Sequence, residues 1–110
     1  MTKEQRKELL SLWRDRIKDR AGNKCEKCQS VKGLQGHHII PRTNFNLIFD
    51  LENGVLLCKH CHLFWAHKDA LGFTEWIKTK RDLNYLESRR HGQSNNDYNL
   101  MKIYLKQNKA

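Results

Sequence analysis

No run of 18 or more apolar residues occurs in this chain of 110 residues, so no membrane-spanning helix is expected. The amino terminus, MTKEQRKELL, is charged throughout and lacks the apolar core of a secretory leader. Nothing points to export, and a cytoplasmic setting in a bacterial or phage-infected cell is the expectation. Internal repeats and low-complexity tracts are also missing, and the length suits a single domain with a modest core. Core-forming residues are in short supply, at 38% hydrophobic against 30% charged. A metal staple is a common remedy for that shortage. Acidic side chains are the scarcer charge, 12 against 21 Lys and Arg, which leaves a formal net charge of +9. Metal-bound thiolates would lower that figure without reversing it. Counterion release from a polyphosphate rewards such a surface, so nucleic acid is the leading partner and a basic but non-binding surface the bland alternative.

Against these scarcities stand four cysteines in two Cys-x-x-Cys pairs, Cys25 with Cys28 and Cys58 with Cys61. A two-residue spacer lets one turn present two thiolates, and four thiolates close a tetrahedral zinc site. In a reducing compartment, paired motifs of this kind read as metal ligands before disulfides. Free buried cysteines or a redox pair are the alternatives, and two matched pairs argue against both. The 29 residues between the pairs exceed the usual 15–20 of a zinc ribbon, and the longer insert holds histidines.

An amphipathic helix is predicted from Thr2 to Ala21, with Leu9, Leu10, Trp13 and Ile17 on one face and Gly22 as its stop. Asn23 to Leu34 holds the first cysteine pair in a knuckle-like turn. Ile39 and Ile40 suggest a strand ending at Pro41. Residues 42–52 read as an ordered loop, in which Phe45, Leu47, Phe49 and Leu51 alternate as if one side were buried. Asn53-Gly54 signals a hairpin turn into a strand at Val55, Leu56 and Leu57. A helix is expected over residues 59–68, broken by Gly72. Thr74 then caps a helix through Trp76, Ile77, Leu83 and Leu86. Ser88 to Asn96 reads as polar and turn-like. Asp97 would cap a last helix with Leu100, Met101, Tyr104 and Leu105 on one face. Trp13, Phe64, Trp65 and Trp76 are expected in the core, and His60 and His91 on the surface. The fold class is small α+β: a zinc-stapled core over residues 23–72, a helix over 1–22 before it and helices over 73–110 after it.

His37 and His38 are strand neighbours, so their imidazoles point to opposite faces and can serve different partners. His62 follows His38 by 24 residues, with Asn53 between them. GHHIIPR, then LENGVLLC, then KHCH resembles the HNH endonucleases in their zinc-stapled branch from phage and bacterial genomes. The resemblance runs from about Cys25 to Trp76, with 14 residues separating His38 from Asn53 and eight separating Asn53 from His62.

That resemblance implies a ββα-metal core and hydrolysis of phosphodiester bonds in double-stranded DNA, by nicking or by double-strand cleavage. It makes His38 the general base, gives His37 and His62 a catalytic divalent metal, has Asn53 brace the loop that orients the base, and sets Arg42 against a substrate phosphate. The chemistry agrees, since hydrolysis needs a base near neutral pKa and a cation for the developing charge. The implied cofactors are a structural Zn²⁺ and a catalytic Mg²⁺ or Mn²⁺. Many relatives carry Asp where His37 stands, and a nitrogen ligand there shifts preference toward Mn²⁺, Co²⁺, Ni²⁺ or Zn²⁺. His67, five residues after His62, would lie about 140° from it around an α-helix. It is therefore a candidate third ligand, with phosphate contact or local packing its favoured roles. One alternative has His62 replacing a cysteine in the zinc site. Another is a zinc-stabilised DNA-binding module without catalysis. A homodimer or phage packaging proteins are further candidate partners.

Overall fold

The computed structural model describes residues 1–92 and 96–107. Helix α1 (Lys3–Arg20) starts at a capping box: Thr2 Oγ1 accepts from the Gln5 N–H, and the Gln5 side chain accepts from the Thr2 N–H. Leu9, Trp13 and Ile17 are fully buried along one stripe of α1. The chain then leaves the helix through Gly22, whose φ of +66° is left-handed.

Strands β1 (Leu34–His38) and β2 (Gly54–Cys58) form an antiparallel pair, in register from Leu34 opposite Cys58 to His38 opposite Gly54. The first strand thus ends before Ile39 and Ile40, where the sequence had suggested it. Those two residues carry β-branched side chains into a bend, because strand propensity reports packing more than ladder membership. Asn53-Gly54 is not a hairpin turn. A 3₁₀ turn (Leu51–Asn53), capped by the Asp50 side chain, delivers the chain to Gly54 in extended conformation. Residues 39–53 therefore form the whole connection between the strands. Within it Leu47, Ile48 and Phe49 are buried in succession while Phe45 is 37% exposed. Successive turns replace the expected alternation.

Alternation along the strands splits the hairpin into two faces. Gly36, His38, Gly54 and Leu56 turn toward α1. A Cβ on Gly54 would lie 2.3 Å from Ile17 Cδ1 and 2.6 Å from a Trp13 ring carbon, so only glycine lets α1 seat there. Val55 and Leu57 turn the other way, against Cys25, Ala66, Phe73 and Ile77. With both faces covered, every residue of β2 is buried.

Beyond Cys58 the chain forms a π-helical turn (Cys61–Ala66), then α2 (Ala70–Ile77), α3 (Leu83–Arg90) and α4 (Tyr98–Gln107). Asp69, Asp82 and Asp97 accept from the N–H groups of Gly72, Tyr85 and Leu100, each at 3.0 Å. Thr74 is accordingly no cap. It lies inside α2, its hydroxyl bonded to the Ala70 carbonyl at 2.8 Å, and Gly72 sits in the first turn of that helix. The single helix expected beyond Thr74 is two, α2 and α3. Of the stretch read as turn-like, residues 88–90 finish α3 and residues 93–95 lie outside the described residues. Leu100 is 63% exposed, so the packed face of α4 is Tyr98, Met101, Tyr104 and Leu105. Phe64, expected in the core, is 58% exposed, while Trp65 and Trp76 meet edge to face at 5.4 Å and are half-buried. Among the described residues no helix is long and apolar enough to cross a membrane.

Candidate metal centres and active site

The sulfurs of Cys25, Cys28, Cys58 and Cys61 lie within 4.8 Å of one another. Each pair has the same local design: the Cys28 N–H points at Cys25 Sγ (3.5 Å) and the Cys61 N–H at Cys58 Sγ (3.4 Å). Burial raises the Cys25 thiol, but the backbone N–H groups around it outweigh that and bring it down to about 7. Cys61, buried among the other sulfurs, is pushed up. A cation is what allows all four to ionise together. The cluster is a site for a structural metal such as zinc. Glu26, inside the first knuckle, accepts from the Leu56 N–H at 2.7 Å and pairs with Arg81 at 2.8 Å. Their side chains are only 15% and 8% exposed. Arg81 also donates to the Gly54 carbonyl, so one buried ion pair ties the knuckle, β2 and the α2–α3 link together.

A second cluster stands on the face of β1 opposite α1. His37, His62 and His67 bring one ring nitrogen each to within 4.8 Å of the others. Ring centroids are 4.9 Å apart for His37 and His62, 5.5 Å for His37 and His67, and 4.7 Å for His62 and His67. The expectation that His67 lies far around the helix assumed α-helical pitch. The segment is instead π-helical, and a turn closed by i→i+5 bonds carries residues five apart onto one face. Burial first, and then His62 and His67, lower His37 to about 4; burial and His67 lower His62. Neutral imidazoles with converging lone pairs are the metal-binding form. Three nitrogens and no carboxylate suit a borderline transition metal better than Mg²⁺.

His38 faces the other way. Its ring stacks flat on Trp13, centroids 4.0 Å apart and planes 4° from parallel, and its Nε2 lies 2.9 Å from the Ile48 carbonyl. A carbonyl only accepts, so Nε2 carries the proton and Nδ1 keeps the lone pair. Burial lowers the His38 pKa; the Ile48 bond opposes this, and the charges of Arg14 and Arg42 add to it. Asn53 is fully buried and works as a brace. Its Oδ1 accepts from the Ile40 N–H (2.7 Å), and its Nδ2 donates to the carbonyls of Ile40 (2.9 Å) and Leu47 (3.2 Å). Trp13 Nε1 donates to the Asp50 carbonyl at 3.0 Å. The loop carrying Ile48 is thus fixed at four points, and His38 with it.

A cavity of about 720 Å³ wraps the end of β1 and takes in His37, His38, His62, His67, Arg14 and Arg42. His60 lies at the surface against Phe64, and His91 beside Glu87. Residues 25–63 match the family model described as HNH endonuclease. The chain carries an HNH endonuclease domain. The HNH match implies a nucleic-acid substrate and metal binding. It opens at Cys25 and stops at Leu63, before His67, and takes in neither α1 nor α2–α4. No curated protein and no solved structure matches the chain.

Sequence reasoning treated Trp13 as core alone and passed over Arg14, Gln35, Glu26 and Arg81 around this HNH segment. Only Gln35 had a readable signal, since two residues before His37 puts it on the same strand face.

Proposed function

We propose that the chain is a metal-dependent DNA endonuclease, a single domain in which His38 is the general base and His37, His62 and His67 hold one divalent metal. The observation that carries this reading is the shared cavity. A three-nitrogen cluster and a separately anchored histidine open onto the same space from opposite faces of one strand. A bound divalent cation would supply Lewis-acid stabilisation of charge developing on the phosphate and on the leaving oxygen.

The chain's own residues do the rest. His38 Nδ1 takes a proton from the attacking water, because Nε2 is committed to the Ile48 carbonyl. Burial and two nearby guanidinium groups keep His38 neutral, and so competent as a base, below the usual histidine range. Asn53 acts through the loop it pins, which sets where the Ile48 carbonyl stands. Arg42 grips a substrate phosphate. The four-cysteine zinc keeps the scaffold folded. The donor set favours Mn²⁺, Co²⁺, Ni²⁺ or Zn²⁺ over Mg²⁺. Cleavage would leave 5′-phosphate and 3′-hydroxyl ends, as nicks from a monomer or double-strand breaks from a homodimer. A bacterial or phage setting, with packaging proteins as partners, fits the resemblance.

Conversion of supercoiled plasmid to nicked or linear forms, across a metal series with a chelator control, tests the proposal. His38→Ala should retain fold and zinc and lose about 10²–10⁴ in rate. Wild-type rate in that variant would remove His38 as the base. DNA binding without cleavage in every metal would favour the alternative of a non-catalytic zinc-stabilised module.

A further inference from the structure

Gln35 sits one register step from the histidine cluster, two residues before His37 on the same face of β1, with its side chain at the surface. Its Oε1 lies 2.6 Å from His62 Nδ1. A carboxamide oxygen accepts and cannot donate, so the proton of the neutral His62 ring sits on Nδ1. His62 Nε2, the nitrogen 3.0 Å from His67 Nε2, is then left with its lone pair directed into the cluster. No cap or helical constraint would do this in Gln35's place: His62 opens a π-helical turn that has no side-chain cap. An unpartnered imidazole in water favours the opposite tautomer, with the proton on Nε2, and that form blocks the nitrogen the cluster needs.

We propose that Gln35 is a positioning residue of the histidine metal site, holding His62 in the tautomer and ring orientation that present Nε2 as a ligand. Hydrogen-bond partners of this kind commonly change metal affinity by about 10–100-fold when removed. The inference rests on the reading that His37, His62 and His67 hold a divalent metal, and the test keeps the two separable.

Zinc-loaded protein, its cysteine site filled, is titrated with Co²⁺ and followed by the visible absorption of the bound ion. Two-dimensional ¹H–¹⁵N spectra of the imidazoles, taken before Co²⁺ is added, report which His62 nitrogen is protonated. Gln35→Leu should keep the zinc content and melting temperature of the wild type, shift the His62 proton away from Nδ1, and weaken Co²⁺ binding about 10–100-fold. Gln35→Glu, whose carboxylate accepts the same proton, should keep the tautomer and bind Co²⁺ at least as tightly as wild type. An unchanged tautomer with unchanged Co²⁺ affinity in Gln35→Leu would overturn the proposal, as would Gln35→Glu behaving like Gln35→Leu. Absence of a second Co²⁺ site in the wild type, with His37→Ala making no difference, would instead overturn the metal-site reading beneath it.

Discussion

Four sulfurs and three imidazole nitrogens are gathered along the same short hairpin, and the two clusters are held in opposite ways. The thiols come from two knuckles of matching geometry, three of the four are buried, and the Glu26–Arg81 pair is fastened beneath them. The imidazoles come from a strand and an irregular helical turn, they line a cavity, and His67 is exposed. A saturated, buried set of four suits a metal that holds structure; three ligands facing open space suit one that leaves a position for substrate. The difference teaches that burial and anchoring, more than ligand identity, separate a staple from a reaction centre.

The sharpest way to break this contrast is to exchange the consequences. Cys58→Ser should unfold the protein, because apparent zinc-binding energies of about 10–16 kcal/mol rival the entire stability of a small domain. His62→Ala should leave circular dichroism and zinc content at wild-type levels while abolishing cleavage. If the two variants unfolded alike, the division into staple and reaction centre would be lost. Next in size, Glu26→Ala leaves Arg81 buried without its partner and should cost about 3–5 kcal/mol in urea denaturation. A loss nearer that of an exposed pair would mean that the knuckle stands without this support.

Asn53→Ala probes the brace behind the base. It strips partners from the Ile40 N–H and the Ile40 and Leu47 carbonyls, at about 1–3 kcal/mol for each buried group left unpaired. Cleavage should fall with the metal affinity of the histidine cluster unchanged. A matching drop in metal affinity would couple the two faces of β1. The smallest expected effect is on pH dependence. His37 is held near pKa 4 against an ordinary 6.5, so between those values the unfolded chain binds the additional proton. That contribution is complete above pH 6.5, is lost as pH falls toward 4, and is flat below. In zinc-loaded protein with no metal at the histidines, the wild type should therefore lose more stability than His37→Asn across that window. Equal slopes in denaturation midpoints would place His37 in a more solvated setting than the structure gives it.

Much of this arrangement was legible in the chain. Cysteine spacing, the apolar stripe of α1 and the opposed faces of His37 and His38 follow from local periodicities that tertiary packing leaves intact. Strand β1 was misplaced because Ile39 and Ile40 satisfy packing within a loop, and the ladder ends where Asn53 captures the Ile40 backbone. The position of His67 depended on helical pitch, which composition does not encode. Trp13 was readable as core, yet its second task, stacking on His38, requires knowing that α1 crosses the hairpin at Gly36 and Gly54. Glu26 and Arg81 stand 55 residues apart and meet only through the fold.

The π-helical turn also fixes the phase of everything that follows it. Deleting one residue between His62 and His67 would let the segment relax to α-helical pitch and still leave two imidazoles one turn apart, as an i, i+4 pair. The histidine pair would survive the deletion. Each residue of a helix contributes about 100° of rotation, however, so Phe73 and Ile77 would arrive turned away from the cavity they now wall. The irregular turn thus acts as an angular shim: it pairs the two ligands while aiming the downstream helices, which no regular helix of this length does at once.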